Sequence, residues 1–405
     1  MAAVLFGTFA NAQTPGTVVM GPQYANQVYY KLADGTSNAY AQTVWDIAFL
    51  RTSNFGFATR INDAKGISVF EAGTVAQWAT IDVTQEANWT QLYNSEFEWE
   101  NGAFDNGSAT YGWGEYNMAN HHVTGAITFI LKYADGSFKK FKIDDFFGGY
   151  TFTYASWTGS AWGADQTVVL ANATNPTKNF NYYSLEANAA VDAEPASADW
   201  DMTFTKYLTD YPMPGGGSMM YPVTGVLHHP AVTVAENTTG TTTNLEFSDA
   251  INTIGSDWKT FSGTAYTVDS NKSFFIKRGT TVYKLNFTSF TGGTGGGNGT
   301  ITFNYQDVTS QLATQNFGNN VSFGVYPNPS ADKKINVVYD MPAGNADTNT
   351  VTVYNLTGAK VFETKIGNAS GFFNQEINLG SLNTGVYVLQ FQSGNYSTTK
   401  KIVLN

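Results

Sequence analysis

Two stretches of this chain carry the same landmarks in the same order, and that duplication limits what the chain can fold into. The first has Tyr29-Tyr30-Lys-Leu32 and then Trp45-Asp46-Ile-Ala-Phe49. The second has Tyr182-Tyr183-Ser-Leu185 and then Trp200-Asp201-Met-Thr-Phe204, at nearly the same spacing. A cation follows each at the same offset, Arg51 and Lys206. Asn88-Trp89 answers to Asp257-Trp258, and the Phe129–Phe141 stretch answers to Phe275–Leu285. The copies close on Gly149-Tyr-Thr-Phe-Thr-Tyr154 and Thr300-Ile-Thr-Phe-Asn-Tyr305.

The repeats are built of aromatic and β-branched runs broken by glycine, which predicts strands and turns. Aromatics reach 15% while charged residues fall to 13%, so the chain has the means to bury cores and is not globally disordered. Asp135-Gly136 reads as a two-residue hairpin turn. Gly292 to Gly299 reads as a loop, because no helix and no Lys-Ser/Thr pair follows it to cradle a phosphate. Trp45 and Trp200 are expected in cores, with Asp46 and Asp201 bonding nearby backbone donors.

There is no cysteine. Disulfides, thiolate catalysis, cysteine metal sites and a lipid-bearing cysteine are all excluded. With net charge −11 and only three arginines, nucleic acid is not the expected partner. Residues 1–12 read as a signal-peptide remnant, with an A-x-A cleavage site at Ala10-Asn-Ala12. No later stretch approaches the roughly 18 apolar residues of a membrane span, so the chain is read as not membrane-spanning. These features fit an exported bacterial surface protein.

The last segment differs in character. Short strands are predicted at 335–339, 350–354, 361–365, 385–391 and 400–404, which is the pattern of a small β-sandwich. Its landmarks are Val325-Tyr326-Pro327-Asn328-Pro329-Ser330, Asn355-Leu-Thr-Gly358, Leu382-Asn-Thr-Gly385-Val-Tyr387 and Lys400-Lys401-Ile-Val-Leu. In these it resembles the type A C-terminal sorting domain of type IX secretion. The resemblance implies recognition by the secretion machinery, passage across the outer membrane, and attachment or release at the surface. Pro327 and Pro329 would stiffen the domain entry. Asn328, Gly385 and Tyr387 belong to the same signal, and Lys400 and Lys401 are candidate receptor contacts.

The repeats, through Trp-Asp-x-x-Phe-x-Arg/Lys and the Tyr-Tyr lead-in, resemble the HmuY family of haem-binding surface proteins. The chain departs from that family in having two copies, no lipoprotein cysteine and a sorting tail. The resemblance implies an all-β fold that holds haem between His or Met ligands. The expected architecture is therefore all-β: repeat 1 over 18–175, repeat 2 over 176–307, a linker over 308–319, and an Ig-like sorting sandwich over 320–405.

Haem iron takes imidazole or thioether donors, and its ring needs an aromatic slot. Every histidine lies in one of two doublets, His121-His122 and His228-His229. Met118 and His122 lead the ligand candidates, followed by His121, then Met219 and Met220. Tyr111, Trp113 and Tyr116 are the candidate pocket walls. Adjacent histidines on a strand point to opposite faces, so at most one of each doublet serves a pocket. The implied partners are haem or a related porphyrin and an outer-membrane receptor that takes it onward.

No catalytic residue is assigned, and the chain is expected not to be an enzyme. Gly-x-Ser-x-Gly and His-Glu-x-x-His are absent. Glu96-Phe97-Glu98-Trp99-Glu100 alternates like a half-buried strand with a solvated acidic face. Asp144 and Asp145 would point to opposite faces. Two further readings stay open: a glycan-binding or adhesive protein using Trp113, Trp157, Trp162 and less so Trp99, and a structural surface protein with no small ligand.

Overall fold

The computed structural model describes residues 13–53, 56–213, 215–242, 244–316, 323–341, 349–367, 371–393 and 396–405. The signal-peptide reading of 1–12 lies outside them. The chain divides into two compact units, the larger ending at Asp307 and the smaller carrying Val308–Asn405. The architecture is all-β, as expected. The stretch read as a polar linker holds an α-helix, Thr309–Asn316.

In the larger unit the two stretches build sheets of similar order, the first with more strands than the second. In one sheet the order is Gln166–Ala171, Gly149–Ser156, Phe138–Phe146, Ile127–Lys132, Ser68–Thr74, Thr90–Leu92. In the other it is Thr14–Val19, Thr300–Asp307, Thr281–Thr291, Ser273–Arg278, Val232–Asn237. Even the β-bulges correspond, at Ile143/Asp145 and at Phe287/Ser289.

The two copies trade strands. Phe180–Ser184, which carries the second Tyr-Tyr, pairs with Ile47–Leu50 after the first Trp-Asp, placing Tyr183 opposite Ile47. Asn26–Tyr30, with the first Tyr-Tyr, pairs with Met202–Pro212 after the second, placing Tyr30 opposite Met202. The aspartates fasten both pairings. Asp46 Oδ2 accepts from Leu185 N at 2.6 Å, and Asp201 Oδ2 accepts from Leu32 N at 2.8 Å. Both do bond backbone donors, but across the fold rather than locally.

Packing follows this exchange. One core is drawn from residues 47 to 185, among them Phe49, Phe104, Trp113, Phe129, Phe152 and Tyr183. The other joins Val18, Val28 and Tyr30 to Met202, Phe204, Trp258, Phe287 and Phe303. The repeat boundary near 175 is thus not a packing boundary: the N-terminal strands complete the second lobe and the 180–185 strand completes the first. Each buried aromatic contributes roughly 1.5–3 kcal/mol, which lets the lobes stand without disulfides.

At the junction Tyr29 packs edge-on against Trp200 and Tyr182 against Trp45, with ring centroids 4.9 and 5.0 Å apart. Trp200 is buried, whereas Trp45 is half-buried. Glu194, fully buried there, accepts from the backbone N–H groups of Asn179 and Phe180 and from the Tyr182 hydroxyl. Burial pushes its carboxyl up to about 7.

Two local expectations are corrected. The Asp135-Gly136 hairpin forms, but it turns over Tyr133 to Gly136, with Gly136 N–H donating to Tyr133 O, because Asp135 bonds forward to Ser137 N. The Glu96–Glu100 run is not a strand. Ser95 Oγ accepts from the N–H of Phe97 and of Glu98 and turns the chain, and Trp99 enters the junction, its Nε1 donating to His228 O at 2.8 Å.

In the smaller unit, Phe323–Tyr326, Lys334–Met341 and Gly371–Asn378 form one sheet. Lys360–Ile366, Asn349–Tyr354, Gly385–Ser393 and Tyr396–Leu404 form the other. All predicted strands are present. Phe323–Tyr326 and Gly371–Asn378 were not predicted, since Gly324, Asn374 and Gln375 dilute the strand signal.

Candidate functional site

The first histidine doublet stands on a hairpin, Gly114–Asn117 with His122–Gly125. Val123 and Trp113 are buried in the first core, which leaves His122 and Thr124 facing outward. Gly125 is required for this docking, because a Cβ there would lie 1.8 Å from Ile143 O. The loop between the strands is closed by local bonds: His121 N–H donates to Asn117 O, and the Asn117 and Asn120 side chains accept from Ala119 N and His122 N. His121 takes a left-handed conformation, φ 62°.

That conformation turns His121 onto Tyr116, whose hydroxyl is 2.6 Å from His121 Nδ1. His122 goes the other way. Its Nδ1 is 2.8 Å from Asp145 Oδ2, and its ring lies flat on Phe147 with centroids 4.6 Å apart. A carboxylate only accepts, so Nδ1 carries a proton, and Nε2 is the ring nitrogen not engaged by Asp145. This is the arrangement in which an outer carboxylate fixes a metal-ligating imidazole. The bulge in Phe138–Phe146 puts Asp145 opposite Thr124 while Asp144 bonds Lys142 and Thr153.

Met118 sits at the hairpin tip and is 83% exposed. Tyr111 and Tyr116 are exposed beside it, with centroids 6.3 Å apart, and Tyr111 also meets Phe57. Trp113 is not a pocket wall. It is fully buried and packs edge-on against Phe57, because the strand's alternation directs it inward. Tyr111, Tyr116 and His121 are therefore brought together, His122 stands apart with Asp145 and Phe147, Met118 is on the same loop, and Trp113 is in the core. Asp145 and Phe147 complete the site. The only trace of them in the sequence is the Asp144-Asp145-Phe146-Phe147 run following a strand.

The second doublet is structural. His228 and His229 are both buried. His228 Nε2–H donates to Ala250 O. His229 Nδ1 accepts from Ala231 N, and its Nε2 lies 2.9 Å from Ser197 Oγ. Burial, then the Arg278 charge, pushes His229 down to about 3, so the ring stays neutral.

Met219 and Met220 lie on Ser218–His228, which with Met202–Pro212 makes a long ribbon. Neighbours in a strand, they face opposite ways. Both border a cleft that also bears Asp63 and Asp210, well away in sequence and sheet from the first histidine hairpin.

For haem the hairpin supplies donors but no shared slot: the His122 imidazole lies with Asp145 and Phe147, His121 and Tyr116 lie together apart from it, and Met118 stands exposed at the tip. The charged neighbours, Glu115 and Asp145, are acidic, so propionates would point to solvent. Among the described residues no cluster of three or more His, Asp or Glu side chains is placed to hold a bare metal ion.

The other proposed aromatics are engaged. Trp157 and Trp162 pack 5.1 Å apart, Trp162 Nε1 donates to Ile81 O, and Lys140 lies over Trp78 and Trp162. Among the described residues no helix is long and apolar enough to cross a membrane.

In the smaller unit the sorting residues converge on the last strand. The Asn328 side chain donates to Lys401 O at 2.7 Å and accepts from Val403 N at 2.9 Å, so it mimics a strand partner. Ser330 continues the pairing with Val403 and Asn405. Gly385 begins the neighbouring strand opposite Leu404, and the Tyr387 hydroxyl donates to Asn383 O. Pro327 and Pro329 flank Asn328 in the exposed loop, and Lys400 and Lys401 are both exposed.

An all-β unit followed by such a sandwich is the form of a protein carrying its own export signal. Residues 324–405 match the family model described as the secretion system C-terminal sorting domain. The chain is accordingly a type IX secretion substrate, delivered to the cell surface or beyond it. None of the curated proteins compared matches the chain.

Proposed function

We propose that this exported protein is a non-enzymatic binder that captures haem or a related porphyrin at one site, the His122 hairpin of the first lobe. The observation that carries the reading is the held imidazole: Nδ1 fixed by Asp145, the ring stacked on Phe147, and Nε2 as the nitrogen not engaged by Asp145. Haem supplies an iron with an open axial position, for which a neutral imidazole is a good ligand. His122 would ligate, and Met118 and His121 stand on the same loop as further donors. Tyr111 and Tyr116 offer flat apolar surface to the ring edge. The buried second doublet supports one site rather than two.

Hemin titration of the full chain tests this, followed by absorbance in both oxidation states. A saturable red-shifted Soret band that His122→Ala removes supports it. A spectrum no different from free hemin in either redox state refutes it.

A further inference from the structure

The ribbon of Met202–Pro212 and Ser218–His228 overhangs the edge of the first lobe's sheet and encloses a cleft of about 640 Å³. Ser218 and Met219, next to the ribbon's turn, border the cleft, and further along alternation sets the lining. Leu208 pairs with Pro222 and Asp210 with Met220, so these four share the face that lines the cleft. The opposite wall is the outer face of the sheet edge. There Val69 and Leu92 point into the core, which leaves Ser68 and Gln91, with Tyr93 beyond, pointing out.

The cleft is preformed. Glu96 accepts from Thr209 Oγ1 at 2.5 Å, from Asp210 N at 3.1 Å and from Asn252 Nδ2 at 2.8 Å, tying the ribbon down. Its deepest surface is apolar, with Ile67 buried and Leu208 and Met220 half-buried. Around that floor stand four polar side chains with no side-chain hydrogen-bond partner among the described residues: the Ser68 and Tyr93 hydroxyls, the Gln91 amide and the Asp210 carboxylate. No lysine or arginine lines it.

An apolar floor with an uncharged or acidic polar rim selects for a ligand with apolar faces and many hydroxyls. The missing cations and the two carboxylates, Asp63 and Asp210, select against anions. We propose that this cleft binds a neutral saccharide, with Tyr93, Gln91, Ser68 and Asp210 bonding its hydroxyls over the Ile67, Leu208 and Met220 floor. The inference is independent of the haem reading and rests on different residues.

Native electrophoresis of the full chain through gels containing dextran, xylan, laminarin or yeast mannan tests it, with hyaluronate as an anionic control. The expected result is retardation by at least one neutral polymer and none by hyaluronate. Asp210→Asn and Tyr93→Ala should each weaken that retardation at least tenfold. Met220→Trp, which fills the cleft, should abolish it while leaving hemin binding and far-UV dichroism unchanged. Migration unaffected by all four neutral polymers overturns the proposal. So does retardation that survives Met220→Trp, or retardation by hyaluronate alone.

Discussion

Asp46 offers the sharpest test of how the exchanged strands are held. Its carboxylate has no exposed surface and makes two bonds: Oδ2 takes the N–H of Leu185, and Oδ1 takes Lys65 Nζ at 2.7 Å. Asp46→Ala leaves a buried N–H orphaned, at about 1–3 kcal/mol. It also strips Lys65, itself only 14% exposed in its side chain, of its main partner. Removing one member of a buried pair costs about 3–5 kcal/mol, and the two effects overlap, so the expected total is about 3–5 kcal/mol. For a unit of about 300 residues that is a fall of about 5–8 °C in Tm. Asp201→Ala should cost less, about 2–3 kcal/mol, because Arg278 keeps its bonds to Trp200 O and Ser197 O. Urea unfolding of both variants, repeated in 1 M NaCl, measures this. The Asp46 loss should persist in salt, since the pair is buried. A loss under 1 kcal/mol, or one that salt erases, would show that strand pairing alone holds the copies together.

Further predictions follow from the same structure. Asp145→Asn should weaken hemin binding by about 10- to 100-fold while His122 remains in place, since it removes the group that orients the imidazole; equal affinity in a titration would disconnect Asp145 from the site. Glu194, raised to about 7 from 4.5, holds its proton better folded than unfolded. The stability it lends is complete below pH 4.5 and is lost as pH rises through 7, about 3 kcal/mol in all. The difference between wild type and Glu194→Gln in unfolding free energy should therefore change by that amount across this window, and a flat difference would count against the assignment. Asn328→Ala should cost the sorting sandwich about 1 kcal/mol by freeing the end of its last strand, and should lower the exported fraction measured by immunoblot of cells and medium; unchanged export would separate the clamp from the signal.

Much of this fold was legible because aromatic and β-branched runs have only one economical use, as half-buried strands. The Tyr-Tyr and Trp-Asp landmarks do mark corresponding strands, Asn26–Tyr30 with Phe180–Ser184 and Ile47–Leu50 with Met202–Pro212. They could not show that each Tyr-Tyr strand pairs with the other copy's Trp-Asp strand, because pairing partners leave no mark on local periodicity. The Glu96–Glu100 run misled for a related reason. Its alternation is that of a strand, yet Ser95 captures two backbone N–H groups and Glu96 is consumed by Thr209 and Asn252, far along the chain. Trp113 was misplaced by one step of alternation, since nothing in Tyr111-Gly-Trp113-Gly says which face is inward.

The duplication also explains why the two histidine doublets have different fates. Had both copies kept one role, equivalent strands would carry equivalent side chains. Instead the first doublet lies on a hairpin added at the bulge of Phe138–Phe146, where side chains face solvent and can accept change. The second lies where the ribbon enters the junction, hemmed in by Trp99, Trp200 and Ser197. A histidine there must stay neutral and satisfied, and His229, held near 3, is both. The same residue pair is thus turned to solvent in one copy and packed in the other, and what decides it is the element that carries the pair, a surface hairpin or the root of the long ribbon.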